Sequence, residues 1–156
     1  MTLIGINKKD YKPNNDYYTP KWIFDALGME FDVDVAAPKG GLDWIPAKNF
    51  IDIEQDGLNT EWIGRAWMNP PYSQCVPWVK KFREHNNGIA LLPTSKAAWF
   101  KHLFDDERVS VLHPSQNVRF TTPDNEVKGI FMPTLLFAMG EECTQALHNS
   151  KLGRVR

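Results

Sequence analysis

The sequence has almost no net charge, few cysteines and no long apolar run. Eighteen Lys and Arg stand against 19 Asp and Glu, a formal charge of −1 over 156 residues. That balance excludes a polybasic protein that coats nucleic acid through its overall field, so any contact with phosphates has to come from local patches. Cys75 and Cys143 are too few for a disulfide framework and form no CxxC pair. No apolar stretch approaches the ~20 residues that span a bilayer, and residues 1–15 lack the apolar segment of a signal peptide. A reducing cytoplasm is the expected location. His85, His102, His113 and His148 show no ligand spacing, so no metal site is expected.

What is present suits one globular domain. The length matches a single hydrophobic core, and six Trp and nine Phe favour a dense α/β core. The polar opening, residues 1–15, reads as a flexible arm, and 16–156 as the domain. Thr19-Pro20 reads as an N-cap followed by a first helical proline. Trp22, Ile23, Ala26 and Leu27 form the helical face, and Gly28 stops it. Phe31 to Val35 alternates apolar and acidic residues as a strand does, with Ala36 to Gly41 as the loop leaving it. Lys48 to Ile53 is a short strand, and Asp56-Gly57 a turn. Arg65 to Met68 is a short strand stopped by prolines, which leaves Asn69 at its tip. Val76, Trp78, Val79 and Phe82 repeat at helical spacing before Asn86-Asn87-Gly88. Strands over Ile89–Leu92 and Val109–Leu112 flank a helix over Ala97–Phe104. Val118–Phe120 and Leu135–Met139 are the last extended segments. The alternation predicts a three-layer α/β domain with a largely parallel sheet, whose strand ends carry Asp34, Asn69 and Pro93 to one edge.

Asn69-Pro70-Pro71-Tyr72 carries the chemistry. Two prolines fix φ twice and remove two backbone donors, leaving the Asn69 side-chain oxygen and the Pro70 carbonyl as a rigid pair of acceptors beside an aromatic ring. An exocyclic amino group has two hydrogens and a lone pair delocalised into its ring. Two acceptors can hold both hydrogens and draw the nitrogen toward sp³ character, so that the lone pair faces an electrophilic methyl group. Tyr72 can hold an extruded base by stacking. Positioning and dipoles would supply the catalysis without a metal.

Together with Asp16 to Pro20, Phe31 to Ala37, Asp56-Gly57-Leu58 and Leu91-Leu92-Pro93, this loop resembles the phage-type (Dam-like) DNA N6-adenine methyltransferases over about Asp16 to Met139. The resemblance implies a Rossmann-like methyltransferase fold, S-adenosylmethionine as cofactor and adenine N6 in DNA as target. It also implies a phage origin, with a host-cytoplasmic role in protection against restriction. Tyr18, Thr19 and Pro20 would lie at the amino-acid end of the cofactor, where helix-end N–H groups suit a carboxylate. Asp34 would take its ammonium, Ala36 would allow close approach, and Asp56 would meet its adenine amino group. The Gly-rich loop that usually follows the first strand in methyltransferases is missing, with Ala36-Ala37-Pro38 in its place. Lys80, Lys81, Arg83 and Arg119 are the candidate phosphate contacts. A monomer or weak dimer acting on duplex or locally unpaired DNA is expected. The acceptor geometry serves cytosine N4, adenine in RNA or a protein glutamine equally well, and a non-catalytic DNA-binding or decoy protein would keep the same fold.

Overall fold

The computed structural model describes residues 18–121 and 127–156, with the backbone alone at 121 and 127–131. The expected arm over 1–15, and Asp16 and Tyr17 of the opening motif, lie outside the described residues. The elements run α1 (Lys21–Leu27), β1 (Phe31–Ala37), β2 (Ala47–Asp52), β3 (Ala66–Met68), a 3-10 turn (Tyr72–Gln74), α2 (Cys75–His85), β4 (Gly88–Pro93), α3 (Ala98–Phe104), β5 (Val109–Pro114), β6 (Arg119–Thr121), β7 (Val127–Phe131), β8 (Thr134–Met139), α4 (Glu141–Ser150) and β9 (Gly153–Val155).

Seven of the described strands form one sheet in the order β2-β1-β3-β4-β8-β5-β9, and β6 and β7 pair separately. The largely parallel sheet expected from the alternation is not what forms. The β2, β1, β3 and β4 pairings are parallel, but β8 lies antiparallel to both β4 and β5, and β9 antiparallel to β5. The fold is therefore α/β with a mixed sheet. The physical reason lies in the connections. A parallel neighbour needs a long crossover, whereas β8 re-enters from the β6–β7 hairpin and slots between β4 and β5 from the opposite end. The sequence pattern of β8, six apolar or small residues in a row, fits a strand covered on both faces in either direction.

Period-2 alternation sorts the core into two layers. Ala90, Leu92, Leu135, Phe137 and Met139 pack with Trp78, Val79 and Phe82 of α2 and Leu103 of α3. Ile89, Leu91, Leu136 and Ala138 pack with Ile23, Phe24 and Leu27 of α1 and with Cys143 and Leu147 of α4. Full burial of such side chains contributes ~1.5–3 kcal/mol each. No helix bridges β1 to β2 or β2 to β3. Trp62 fills the place of one. Its ring stacks on Trp78 at 6.3 Å, and its indole N–H donates to the Gly57 carbonyl at 2.8 Å.

Two local readings change. Helix α1 starts after Pro20, which is its N-cap (φ −68°, ψ 147°), and no side chain caps it. Thr19 is therefore not the cap. β1 also continues through Ala37 instead of ending at Val35, with a register shift against β2 between Asp34 and Ala37. The small Ala36 and Ala37 carry the strand on where a loop was expected.

Candidate active site

β1 feeds β2 on one side of the sheet, while β3 feeds β4 on the other. The order thus reverses between β1 and β3, the place where open α/β sheets bind ligands beyond the carboxyl ends of their strands. A cavity of about 770 Å³ opens there, within the range typical of small-molecule sites. The end of β1 (Asp34 to Ala37), the end of β2 (Ile51, Asp52), Asn69 after β3 and Trp78 of α2 wall it. Pro38 to Ile45 and Asp56 to Leu58 supply residues around them.

Of the residues expected at a cofactor, Tyr18, Thr19, Asp34, Ala36 and Asp56 line this cavity. Pro20 is buried and does not. Asn69 and Pro71 line it, whereas Pro70 is buried and Tyr72 stands outside the lining. One space therefore joins most of both groups.

Asp34 sits opposite Trp67 in the β1–β3 register, and only 4% of it is exposed. Among the described residues its carboxylate accepts one bond, a long one, from the Ala36 N–H at 3.4 Å. Burial pushes the Asp34 carboxyl up to about 7, and that single N–H opposes the rise only in part. An acceptor with unmet capacity therefore faces the cavity. Asp56 adopts a left-handed backbone (φ 59°). Its carboxylate accepts from the Leu58 N–H at 3.2 Å and the Asn59 side-chain amide at 2.6 Å. Gly57 is needed for close approach, because a Cβ there would run into the Val35 carbonyl and would lie 2.7 Å from the Trp78 ring.

The Asn69 amide donates from Nδ2 to the Thr19 hydroxyl at 3.0 Å. Tyr72 is half-buried, and its hydroxyl donates to the Leu91 carbonyl at 3.2 Å. Its ring meets Phe120 of β6 edge-on at 6.3 Å and 78°. Burial, with a smaller effect of Cys75, holds the Tyr72 phenol well above its ordinary range. The Cys75 thiol is pushed up to about 11 by burial, which suits a packed residue and not a nucleophile.

The four candidate phosphate contacts separate. The Lys81 ammonium donates to the carbonyls of Gly57, Leu58 and Thr60 at 3.1, 3.0 and 2.6 Å and lies 5.2 Å from the Trp62 ring centre. Partial burial lowers its pKa, against the attraction of Asp56, Glu84 and Glu61. Lys81 thus braces the loop under the cavity. Arg83 is paired with Asp106 at 3.1 Å. Lys80 and Arg119 are exposed, Arg119 on β6 between buried Val118 and Phe120.

Asp52 is the main cavity residue that the sequence did not single out. It is buried, with Oδ2 accepting from the Gly40 N–H and Oδ1 from the Glu54 and Gln55 N–H groups. It ties the loop after β1 to the turn after β2. Its signal was an Asp closing the Phe50-Ile51 run at a strand end. Trp67 and Trp78 were visible only as apolar positions of a strand and a helix. Among the described residues no group of His, Cys, Asp and Glu is placed to hold a metal, and no helix is long and apolar enough to cross a membrane.

Comparison with known proteins gives the family. The family described as DNA N-6-adenine-methyltransferase (Dam) matches residues 7–140. A curated relative from Haemophilus phage HP1 (strain HP1c1), named DNA N-6-adenine-methyltransferase, is 36% identical over 101 residues. That match covers 59% of this chain and 55% of the relative, so the chain spans about half the length of the curated protein it matches. No solved structure matches the chain. With most of its length covered, from before Tyr18 through the end of β8, the chain belongs to the DNA N-6-adenine-methyltransferase (Dam) family.

Proposed function

We propose that this chain transfers a methyl group from S-adenosylmethionine to the N6 amino group of adenine in DNA, on a Rossmann-like methyltransferase scaffold. The observation that carries the reading is one cavity at the β1–β3 reversal. It is lined both by Asp34, a buried carboxylate with a single long hydrogen bond among the described residues, and by Asn69.

The cavity fits the cofactor chemically. A buried carboxylate held near 7 is an unmet acceptor suited to an ammonium, which would favour its charged form. Asp56 offers the remaining lone pairs of its carboxylate to an adenine amino group. Trp67, Trp78, Ile51 and Leu58 supply apolar walls. The cofactor brings an electrophilic methyl group on a sulfonium. All other work falls to the chain. Asn69 Oδ1 and the Pro70 carbonyl accept the two amino hydrogens, and this geometry directs the nitrogen lone pair along the line of transfer. Tyr72, fixed through its hydroxyl to the Leu91 carbonyl, offers a ring edge or face beside the loop. The surplus proton of the methylated nitrogen leaves to water.

DNA contacts are assigned to the exposed Lys80 before Lys81 and Arg83, which are engaged within the protein; Arg119 of β6 is exposed as well. A flipped base costs a few kcal/mol to extrude, and contacts from β6, whose Phe120 meets Tyr72 edge-on, would help offset it. The test is direct. The pure protein is incubated with labelled S-adenosylmethionine and duplex DNA, and the digested nucleosides are identified. N6-methyladenine is expected. N4-methylcytosine, or label only on RNA or protein, would overturn the reading, and absence of cofactor binding by calorimetry would favour a non-catalytic DNA-binding protein.

A further inference from the structure

We infer that Thr19 is a positioning residue that anchors the Asn69 side-chain amide at the cavity. The inference rests on the function proposed above. A side-chain amide turned by half a rotation exchanges its acceptor for two donors. A loop that must accept hydrogens from an amino group works in one of those orientations only. Strand β3 and Pro70 fix the backbone of Asn69, but not the torsions of its side chain.

Thr19 holds those torsions. Its hydroxyl oxygen accepts from Asn69 Nδ2 at 3.0 Å, and among the described residues this is the amide's one side-chain partner. With Nδ2 engaged, Oδ1 is left as the free acceptor of the amide. Thr19 is itself held on both sides. It is 1% exposed, and its carbonyl accepts the Trp44 indole N–H at 2.8 Å. Next in the chain, Pro20 (φ −68°) leads into α1, whose Ile23, Phe24 and Leu27 are buried in the core. The hydroxyl is therefore a fixed point and not a free rotor on a loop.

The experiment compares Thr19→Val, which keeps the shape and removes the acceptor, with Thr19→Ser, which keeps the acceptor. Thr19→Val is expected to lower kcat about 10–100-fold, as misorientation of a reacting partner does, with the cofactor Kd changed less than about 3-fold. Thr19→Ser is expected to recover most of that loss. In DNA-free, ¹⁵N-labelled protein the Asn69 side-chain amide signals, assigned by their loss in Asn69→Ala, should shift in Thr19→Val and hold in Thr19→Ser. Turnover in Thr19→Val equal to wild type, or a loss carried wholly by cofactor affinity, overturns the inference. If the wild-type protein methylates no DNA, the proposed function fails by itself. The amide signals then decide the Thr19 contact alone, and signals unmoved in Thr19→Val overturn it.

Discussion

Replacing Asp34 with Asn should make the protein more stable near pH 8 while removing cofactor binding. In the folded chain burial lifts the carboxyl from its ordinary 3.8 to about 7. Above pH 7 the group is ionised in both the folded and unfolded states, and the folded state bears the cost of a buried charge with one weak donor. At ~1.4 kcal/mol per pH unit, that displacement costs about 4 kcal/mol as an upper figure. The sign follows from the raised value. The contribution of Asp34 to stability is fully present below pH 3.8 and lost as pH rises through about 7. An amide at this position carries no charge, so the Asp34→Asn variant should gain up to that amount over wild type at pH 8 and nothing near pH 4. Urea titrations at both pH values read it. The same carboxylate should impose a pH profile on binding. An ammonium partner requires the ionised form, so free Asp34 must lose its proton below about pH 7 before the cofactor binds. Affinity for S-adenosylmethionine should fall about tenfold between pH 8 and pH 6 and again between pH 6 and pH 5, with proton release visible by calorimetry in buffers of different ionisation heat. An affinity flat from pH 5 to 8, or an Asp34→Asn protein that binds as tightly as wild type, would refute the reasoning.

Asn69→Ala should abolish turnover and leave the cofactor Kd within a few-fold, measured by methyl transfer and calorimetry side by side. Tyr72→Phe removes the bond to the Leu91 carbonyl and should cost ~1 kcal/mol in stability by denaturant titration; Tyr72→Ala should end turnover while largely sparing cofactor binding. Gly57→Ala drives a methyl group into the Val35 carbonyl and the Trp78 ring and should cost ~1–3 kcal/mol, with a lower Tm. Lys80→Ala should weaken DNA binding and reduce its salt slope by about 1 without changing Tm, whereas Lys81→Met, stripped of three carbonyl contacts, should lower Tm.

Much of the element order could be read along the chain because it rests on local physics. Prolines after Met68 stop β3 and put Asn69 at its tip, Gly28 ends α1 in a left-handed cap, and apolar spacing marks α2. Two local signals misled. Thr19 looked like a cap and instead accepts from Asn69, and Ala36-Ala37 looked like a loop and instead stay paired in β1. Nothing after Met139 was read as structure, yet α4 buries Cys143, Ala146 and Leu147 and β9 closes the sheet beside β5.

The sequence by itself determined which residues could do amino-group chemistry. Proline geometry and side-chain acceptors are properties of four consecutive residues and need no fold to be recognised. The tertiary structure alone decided the direction of β8, because an apolar six-residue strand pairs equally well either way until its connection is placed. It decided as well that Lys81 and Arg83 are bound inward while Lys80 is not, since neighbouring positions on one helix face different surroundings. And only the fold brought Asp34, Thr19 and Asn69 to one cavity, where burial raises the pKa of the first and a 3.0 Å hydrogen bond joins the other two.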